Sequence, residues 1–163
     1  MEEFAHALQP SGPGSRMIDI ILPPKATSAA EARHAVAGLL HDVADVPALV
    51  IEDVLLLVSE LVSNAVLHAG TEVRLRASVE DAVVSVSVGD RDPHHSPVLD
   101  RKGADATSGR GIFLVHALAS DWGVELAESS KLVWFRASTA PAEALEPLPE
   151  RGEAALLAQP GPS

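Results

Sequence analysis

The longest regular hydrophobic pattern in the chain lies between Ile51 and Gly70, where apolar residues recur every three or four positions. This spacing predicts an α-helix of about five turns. Two polar residues, Glu60 and Asn64, interrupt it four positions apart, so their side chains are expected on one side of the helix. Burying either group without partners costs about 1–3 kcal/mol, and more for the charged one. The apolar face consists of Val54, Leu57, Val58, Leu61, Val62 and Ala65.

The polar pair has two explanations, and the helix by itself leaves both open. In the first, Glu60 and Asn64 lie on a solvated edge of an amphipathic helix. In the second, they face a cleft in which a cation and a water provide the missing partners. An Asn side-chain oxygen suits Mg²⁺, which prefers oxygen ligands. A Glu one turn earlier could orient or deprotonate a bound water or hydroxyl group.

The remaining hydrophobic pattern predicts a sheet and two more helices. Pro47 suits the first turn of the long helix, and Gly70 suits its C-terminal cap. The resulting order, β-α-α-β-β-loop-α-β-β, predicts an α+β fold, a two-layer α/β sandwich with a mostly antiparallel sheet covered on one face by about three helices. Alternating residues predict strands at 16–22, 73–79, 83–88, 121–126 and 131–137. The further helices are predicted from Thr27 or Ser28 to about Asp42 and from Ile112 to Ser120.

The domain boundaries follow from changes in composition along the chain. Residues 1–15 are rich in Pro and Gly and are expected to form a flexible leader, while 16–138 form the folded domain. Residues 139–163 are rich in Pro, Ala and Glu, which predicts a mostly disordered tail. The polar segment 94–108 is predicted to be a loop, and a loop of this length is usually functional or disordered.

Composition limits the class of protein. Hydrophobic residues make up 47% of the 163, which indicates a globular chain, and aromatic residues only 3%, which indicates an aliphatic core. The formal net charge of −11 argues against nucleic acid or an anionic membrane as the main partner. The absence of cysteine excludes disulfides and thiolate metal sites. No secretory signal and no membrane-spanning apolar run is visible, so a cytoplasmic protein is expected.

Two further polar features have the chemistry of a nucleotide site. Asp90 ends a predicted strand, and its carboxylate could accept a hydrogen bond from an amino group such as that of adenine. Ser108, Gly109, Arg110 and Gly111 begin a predicted helix. Glycines let backbone N–H groups approach a ligand closely, a helix N-terminus favours phosphate, and an arginine adds a charge-assisted contact.

Four segments carry a resemblance to a known family. They are SELVSNAVLHAG, VSVGDRDP, SGRGIFLVHALASDWGVE and KLVWF. In this order and spacing, from about Ala26 to Phe135, the chain resembles the GHKL (Bergerat-fold) ATPases. It is most similar to the small anti-sigma-factor-type serine kinases and their actinobacterial relatives. The order of the four segments is far more specific than any one of them.

The resemblance implies ATP and Mg²⁺ as cofactors and a role for each polar feature. Asn64 would ligate Mg²⁺, Glu60 would be the general base, and Asp90 would recognise adenine. The loop before Ser108 would be the ATP lid. The implied activity is transfer of the γ-phosphate of ATP to a serine of a regulatory partner, such as a sigma factor or an anti-sigma-antagonist-like protein. The resemblance leaves homodimer formation open. The phosphates would be held by Ser108, Gly109, Arg110 and Gly111.

The chain departs from the family pattern at a few positions. Asp92 occupies the position where the first glycine box usually has a glycine, and Pro93 follows it. Ser129 and Ser130 replace the glycines before the closing lysine. Leu132 stands where a Thr is usual. A second hypothesis is therefore a non-catalytic module of the same fold that sequesters a regulator, with or without bound ATP. A third is a structural adaptor without nucleotide.

Other polar and aromatic residues have simpler interpretations. His68 is expected to lie at the C-terminal end of the long helix, where the helix dipole favours a histidine. Asp90, Asp92, His94 and His95 are spaced too loosely for a dedicated zinc site, so a solvated loop is the preferred interpretation. Trp122 and Trp134 are expected in the core or against the sheet, and Arg74 and Arg76 on the exposed face of a strand.

Overall fold

The structure, a computed structural model, describes residues 16–43, 45–94, 115 and 118–140. Within these residues the chain forms five strands and two complete helices, which confirms the predicted α+β fold. The predicted leader and nearly all of the predicted tail lie outside the described residues, so the domain boundaries stay predictions. In chain order the elements are β1 (Arg16–Leu22), α1 (Ser28–His41), α2 (Ala48–Ala69), β2 (Val73–Glu80), β3 (Val83–Asp90), β4 (Asp121–Leu126) and β5 (Lys131–Ser138).

The strands form one sheet in the order β1-β2-β3-β5-β4, and every neighbouring pair is antiparallel. Strand β3 lies in the centre, paired with β2 on one side and β5 on the other. Helices α1 and α2 pack against each other and against the sheet. We call the side of the sheet toward these helices the inner face and the opposite side the outer face. Of the predicted third helix, Val115 and Leu118 are described and helical.

Helix α2 forms because its apolar stripe continues for most of its length and is buried. All six residues predicted for its apolar face are at most 5% exposed. It begins at Ala48, three residues before the predicted apolar pattern starts at Ile51, and Pro47, predicted in the first turn, is instead the N-cap residue with an extended ψ of 139°. It ends at Gly70, whose φ of 59° is left-handed and suits glycine, as predicted. No helix in the described part of the chain is long and apolar enough to cross a membrane.

Helix α1 begins where it was predicted, but without the expected side-chain cap. Thr27 occupies the N-cap position, and its hydroxyl donates to Glu31 Oε1 at 3.0 Å instead of accepting from a backbone N–H. The buried Ser28 hydroxyl donates to the carbonyl of Pro23 at 2.6 Å, which joins the helix start to the end of β1. The backbone N–H of Ser28 donates to the carbonyl of Lys25 at 3.0 Å, so a backbone hydrogen bond takes the place of side-chain capping here.

The core between helices and sheet is aliphatic, as the composition predicts. Phe135 in β5 is the largest of its fully buried side chains. Alternation along β2 and β3 directs Leu75 and Val86 inward and sends Arg74 and Arg76 to the outer face. Trp122, on the inner face, packs against this core.

Candidate functional site

Helix α2 places Glu60 and Asn64 beside the core rather than within it. Both side chains are half-buried, one turn apart, between the fully buried residues Leu61 and Ala65 and the exposed Leu56 and Leu67. Within the described residues neither side chain has a hydrogen-bond or ion-pair partner. A half-buried carboxylate and carboxamide without protein partners are accessible both to water and to a ligand, so both explanations of the pair stay open.

Asp90 ends the central strand on the inner face of the sheet, next to Val88 in the same alternation. It is only 2% exposed. Its Oδ1 accepts the backbone N–H of Asp92 at 2.9 Å, and its Oδ2 lies 3.3 Å from Lys131 Nζ. Burial raises the pKa of the Asp90 carboxyl, and the Asp92 N–H and the Lys131 ammonium oppose this rise. The predicted adenine-recognising carboxylate is therefore buried and already bound by a cation.

Lys131 is the residue of this site that the sequence pattern did not identify. The register between β3 and β5 pairs Asp90 with Lys131 and Gly89 with Leu132. Side chains alternate along a strand, so Lys131 faces Asp90 on the inner side, whereas Leu132 lies on the outer face beside Gly89. The replacement of the usual Thr by Leu132 therefore does not remove a contact to Asp90. A lysine opening the closing strand is the only sequence signal, and the register was needed to pair it with Asp90.

The chain after β3 turns by means of two aspartates. Asp90 accepts from the N–H of Asp92, and Asp92 Oδ1 accepts from the N–H of His94 at 3.0 Å. Each aspartate thus stabilises the backbone two residues on, as Asn and Asp commonly do in turns. Asp92, which stands at the family's glycine position, has a structural role here. No group of three metal-ligating side chains occurs among the described residues, and His95 lies outside them.

The predicted phosphate-binding segment, Ser108–Gly109–Arg110–Gly111, and the predicted lid lie outside the described residues. Their positions relative to Asp90 and Asn64 therefore stay predictions. The described part of the site is the inner-face end of β3 and β5, together with the polar pair on α2. Helix α2 packs on β2, β3 and β5. These features therefore all lie between the helix layer and the inner face of the sheet.

Comparison with known families decides what kind of domain this is. Residues 22–137 match the histidine kinase-like ATPase domain. The chain belongs to this family. The match includes α2 with Glu60 and Asn64, the end of β3 with Asp90, and β5 with Lys131. The expected GHKL resemblance is thereby confirmed, and ATP binding is the function that family membership supports.

Among solved structures, the chain is similar to the RsbU and RsbW domains of Rv1364c from Mycobacterium tuberculosis. The TM-score is 0.60 with 19% sequence identity, over 76% of this chain and 32% of the other. At this identity the similarity shows a shared fold. The present chain spans about a third of the length of that protein chain. None of the curated proteins is significantly similar to it.

The donor groups of the described residues fit the ligands that the family implies. The free carboxamide oxygen of Asn64 is a suitable ligand for Mg²⁺. An ionised carboxylate offers about four acceptor positions, and Asp90 uses one for Asp92 and one for Lys131. Acceptor capacity therefore remains for an amino group of a base.

Proposed function

We propose that the protein is an ATP- and Mg²⁺-dependent regulatory kinase that phosphorylates a serine of a partner protein. The observation that carries this proposal is the pair Glu60 and Asn64. Both are half-buried and unpartnered on α2, inside the region that matches the ATPase family. The net charge of −11 favours a protein partner over nucleic acid. Use of cellular ATP agrees with the expected cytoplasmic location.

In this proposal each residue has one task. Asn64 holds Mg²⁺ through its carboxamide oxygen, and Asp90 accepts a hydrogen bond from the adenine amino group. Glu60, one turn before Asn64, accepts the proton of the partner's serine hydroxyl. Gly109, Gly111 and their neighbours Ser108 and Arg110 are proposed to hold the phosphates. Bound Mg·ATP supplies the phosphoryl group, so the contribution of the protein is mainly positioning and charge neutralisation.

The first test is thermal unfolding with and without ATP, in Mg²⁺ and in a chelator. A ligand that binds only the folded state raises its stability. We therefore expect a Mg²⁺-dependent rise in Tm that Asn64→Ala abolishes. Ser63→Ala is the matched control, because Ser63 precedes Asn64 and is also half-buried. An unchanged ATP response in Asn64→Ala would remove the metal assignment.

Glu60→Gln separates binding from transfer. This variant keeps the size of the side chain but cannot accept a proton as a carboxylate does. We expect it to keep the ATP-dependent rise in Tm and to lose phosphate transfer, measured with labelled ATP and a serine-bearing partner. General-base catalysis contributes about 10²–10⁴-fold, so the loss should be of that order. Transfer at the wild-type rate would show that Glu60 is not the base.

One observation favours a second function, a non-catalytic module that sequesters a regulatory protein. The Asp90 carboxylate is already bound by the buried Lys131 ammonium. If adenine cannot displace or share that contact, the nucleotide site is closed and the fold serves partner binding alone. The melt distinguishes the two functions, because this second one predicts no rise in Tm with Mg·ATP.

A further inference from the structure

The outer face of the sheet carries a small depression on the side away from Glu60 and Asn64. It is shallow, and its non-atom volume of about 310 Å³ includes open solvent. It lies where β3 ends and β5 begins, and Asp90 and Lys131 border it at these strand ends. The register directs its other lining side chains away from the helices. They are Arg74, Arg76, Ser87, Ser130 and Leu132, with Gly89 between the strands.

Two arginines give the depression a positive charge and a fixed geometry. Arg74 donates from Nε and Nη2 to the two carboxylate oxygens of Asp19, at 2.9 and 2.7 Å. Arg76 Nε donates to the same carboxylate at 3.0 Å. One carboxylate thus lies against two guanidinium groups, so Asp19, Arg74 and Arg76 taken together carry one more positive than negative charge. Arg74 lines the depression, and Asp19 does not use its Nη1 group, so that group has donor capacity to spare.

Ser130 supplies a second, independent feature of a binding site. The residue is 4% exposed, and its Oγ has no hydrogen-bond partner among the described residues. Its carbonyl accepts the N–H of Ala127 at 2.9 Å, which fixes the backbone of the β4–β5 turn. A buried hydroxyl without a partner is unfavourable. A bound acceptor would remove that cost, and the positive charge nearby selects an anionic one.

We propose that this outer-face depression binds an oxyanion, a phosphate or a carboxylate group, through the Arg74 and Arg76 guanidinium groups and the Ser130 hydroxyl. Guanidinium groups match the geometry of both anions. The oxyanion could be a free ion or a group on a larger ligand. The site is on the face of the sheet opposite to Glu60 and Asn64, and it meets the proposed nucleotide site only at Asp90 and Lys131, which border it.

The test measures Tm and affinity by calorimetry with potassium phosphate, with chloride at equal ionic strength as the reference. We expect phosphate to raise Tm more than chloride does. Ser130→Ala should weaken phosphate affinity by about tenfold, the usual weight of a hydrogen bond to a charged group. It should also raise the Tm of the free protein, since it removes an unpartnered buried hydroxyl. Ser85→Ala, on the same face of β3, is the matched control and should change neither quantity.

Gly89→Ala provides a second variant that keeps every charge. Its added Cβ would lie 3.4 Å from Leu132 Cδ1, close to an ordinary contact, and would occupy the floor of the depression. We expect it to fold and to lose phosphate binding. An equal phosphate response in Ser130→Ala and Ser85→Ala would overturn the proposal.

Two further arms identify the source and the location of the response. A larger response to acetate than to phosphate would identify a carboxylate as the preferred group, and the reverse a phosphate, whereas no response to either would refute the site. The response should persist in Asn64→Ala and in saturating Mg·ATP. A response that ATP abolishes would place the anion in the nucleotide site instead and overturn this inference while supporting the proposed function.

Discussion

The buried ion pair between Asp90 and Lys131 can be broken from the cationic side by Lys131→Met. Methionine retains an unbranched side chain but removes the ammonium group. Asp90 would remain 2% exposed, with the N–H of Asp92 as its remaining described donor. A buried carboxylate that loses its cation must either stay charged at a cost or take up a proton.

The geometry gives the size of the effect. At the observed 3.3 Å the attraction is about 5 kcal/mol for an effective dielectric constant of 20. Desolvation of both groups offsets much of it in the intact pair, but removing one partner typically costs about 3–5 kcal/mol. Because Asp90 can be protonated, we expect Lys131→Met to lower the free energy of unfolding by about 3 kcal/mol at neutral pH, the lower end of this range.

The loss should depend on pH in a defined direction. Burial raises the pKa of Asp90 above its ordinary value of 3.8, and loss of the Lys131 ammonium should raise it further. A carboxyl whose pKa is higher in the folded state contributes stability that is fully present below the unfolded-state pKa. That contribution is lost as pH rises through the folded-state pKa. The difference between wild type and Lys131→Met should therefore be smallest near pH 4 and widen toward pH 7.

Urea unfolding followed by circular dichroism, at about pH 4.5 and pH 7, measures this difference. Lys25→Met is the matched control, because Lys25 is exposed. The double variant Asp90→Asn with Lys131→Met should regain part of the stability, since it leaves no buried charge. If Lys131→Met stays within about 0.5 kcal/mol of Lys25→Met at pH 7, the range of ordinary surface changes, Asp90 is not a buried charge that depends on Lys131.

Three further variants test contacts elsewhere in the fold: Gly123→Ala and Asp19→Asn on the outer face of the sheet, and Gly38→Ala in helix α1. In Gly123→Ala the new Cβ would lie 2.8 Å from the Trp134 ring, so the indole must move; we expect a loss of about 1–3 kcal/mol and altered tryptophan fluorescence. Gly38→Ala, with no atom within 4 Å of its Cβ, should instead stabilise α1 by up to about 1 kcal/mol, and equal effects of the two would contradict the contact. Asp19→Asn should reduce stability at pH 7 by about 1 kcal/mol or less, because the hydrogen bond from Arg74 lowers the pKa of this part-exposed carboxyl. That contribution is present above the unfolded-state pKa of Asp19 and lost as pH falls through the folded-state pKa. Urea unfolding should therefore show the stabilities of the variant and the wild type converging in acid. A difference in stability that does not change with pH would exclude the ionised pair as its cause.

The elements that the sequence predicted correctly are those whose signal is local. The apolar period of α2 runs for most of the helix, and Gly70 supplies the left-handed residue that ends it. Strands β1 and β4 match their predicted ranges, and Pro23 and Pro24 mark the end of β1 in the sequence. The apolar pattern starts three residues after α2 itself, because Leu49 is 68% exposed and lies outside the apolar stripe, and Pro47 was the better sign of the helix start.

The features that the sequence could not predict depend on contacts between distant segments. Alternation within β5 cannot show whether Lys131 or Leu132 faces Asp90, since a shift of one residue in the pairing would exchange them. The clamp of Asp19 by two arginines likewise needs the register of β1 against β2. The pattern placed Arg74 and Arg76 on a strand face but gave no partner for them.

The Asp90–Lys131 pair also links the stability of the fold to the choice between its two candidate functions. If Lys131 only occupies the carboxylate, its removal frees an acceptor for the adenine amino group, and Lys131→Met should respond more strongly to Mg·ATP than wild type. If the ammonium instead assists a bound base, for example by donating to a ring nitrogen, the same variant should respond less. Because the first result would mean that a nucleotide must compete with a buried ion pair, it would favour partner binding as the main function. The second would make Lys131 part of a working nucleotide site and favour the kinase.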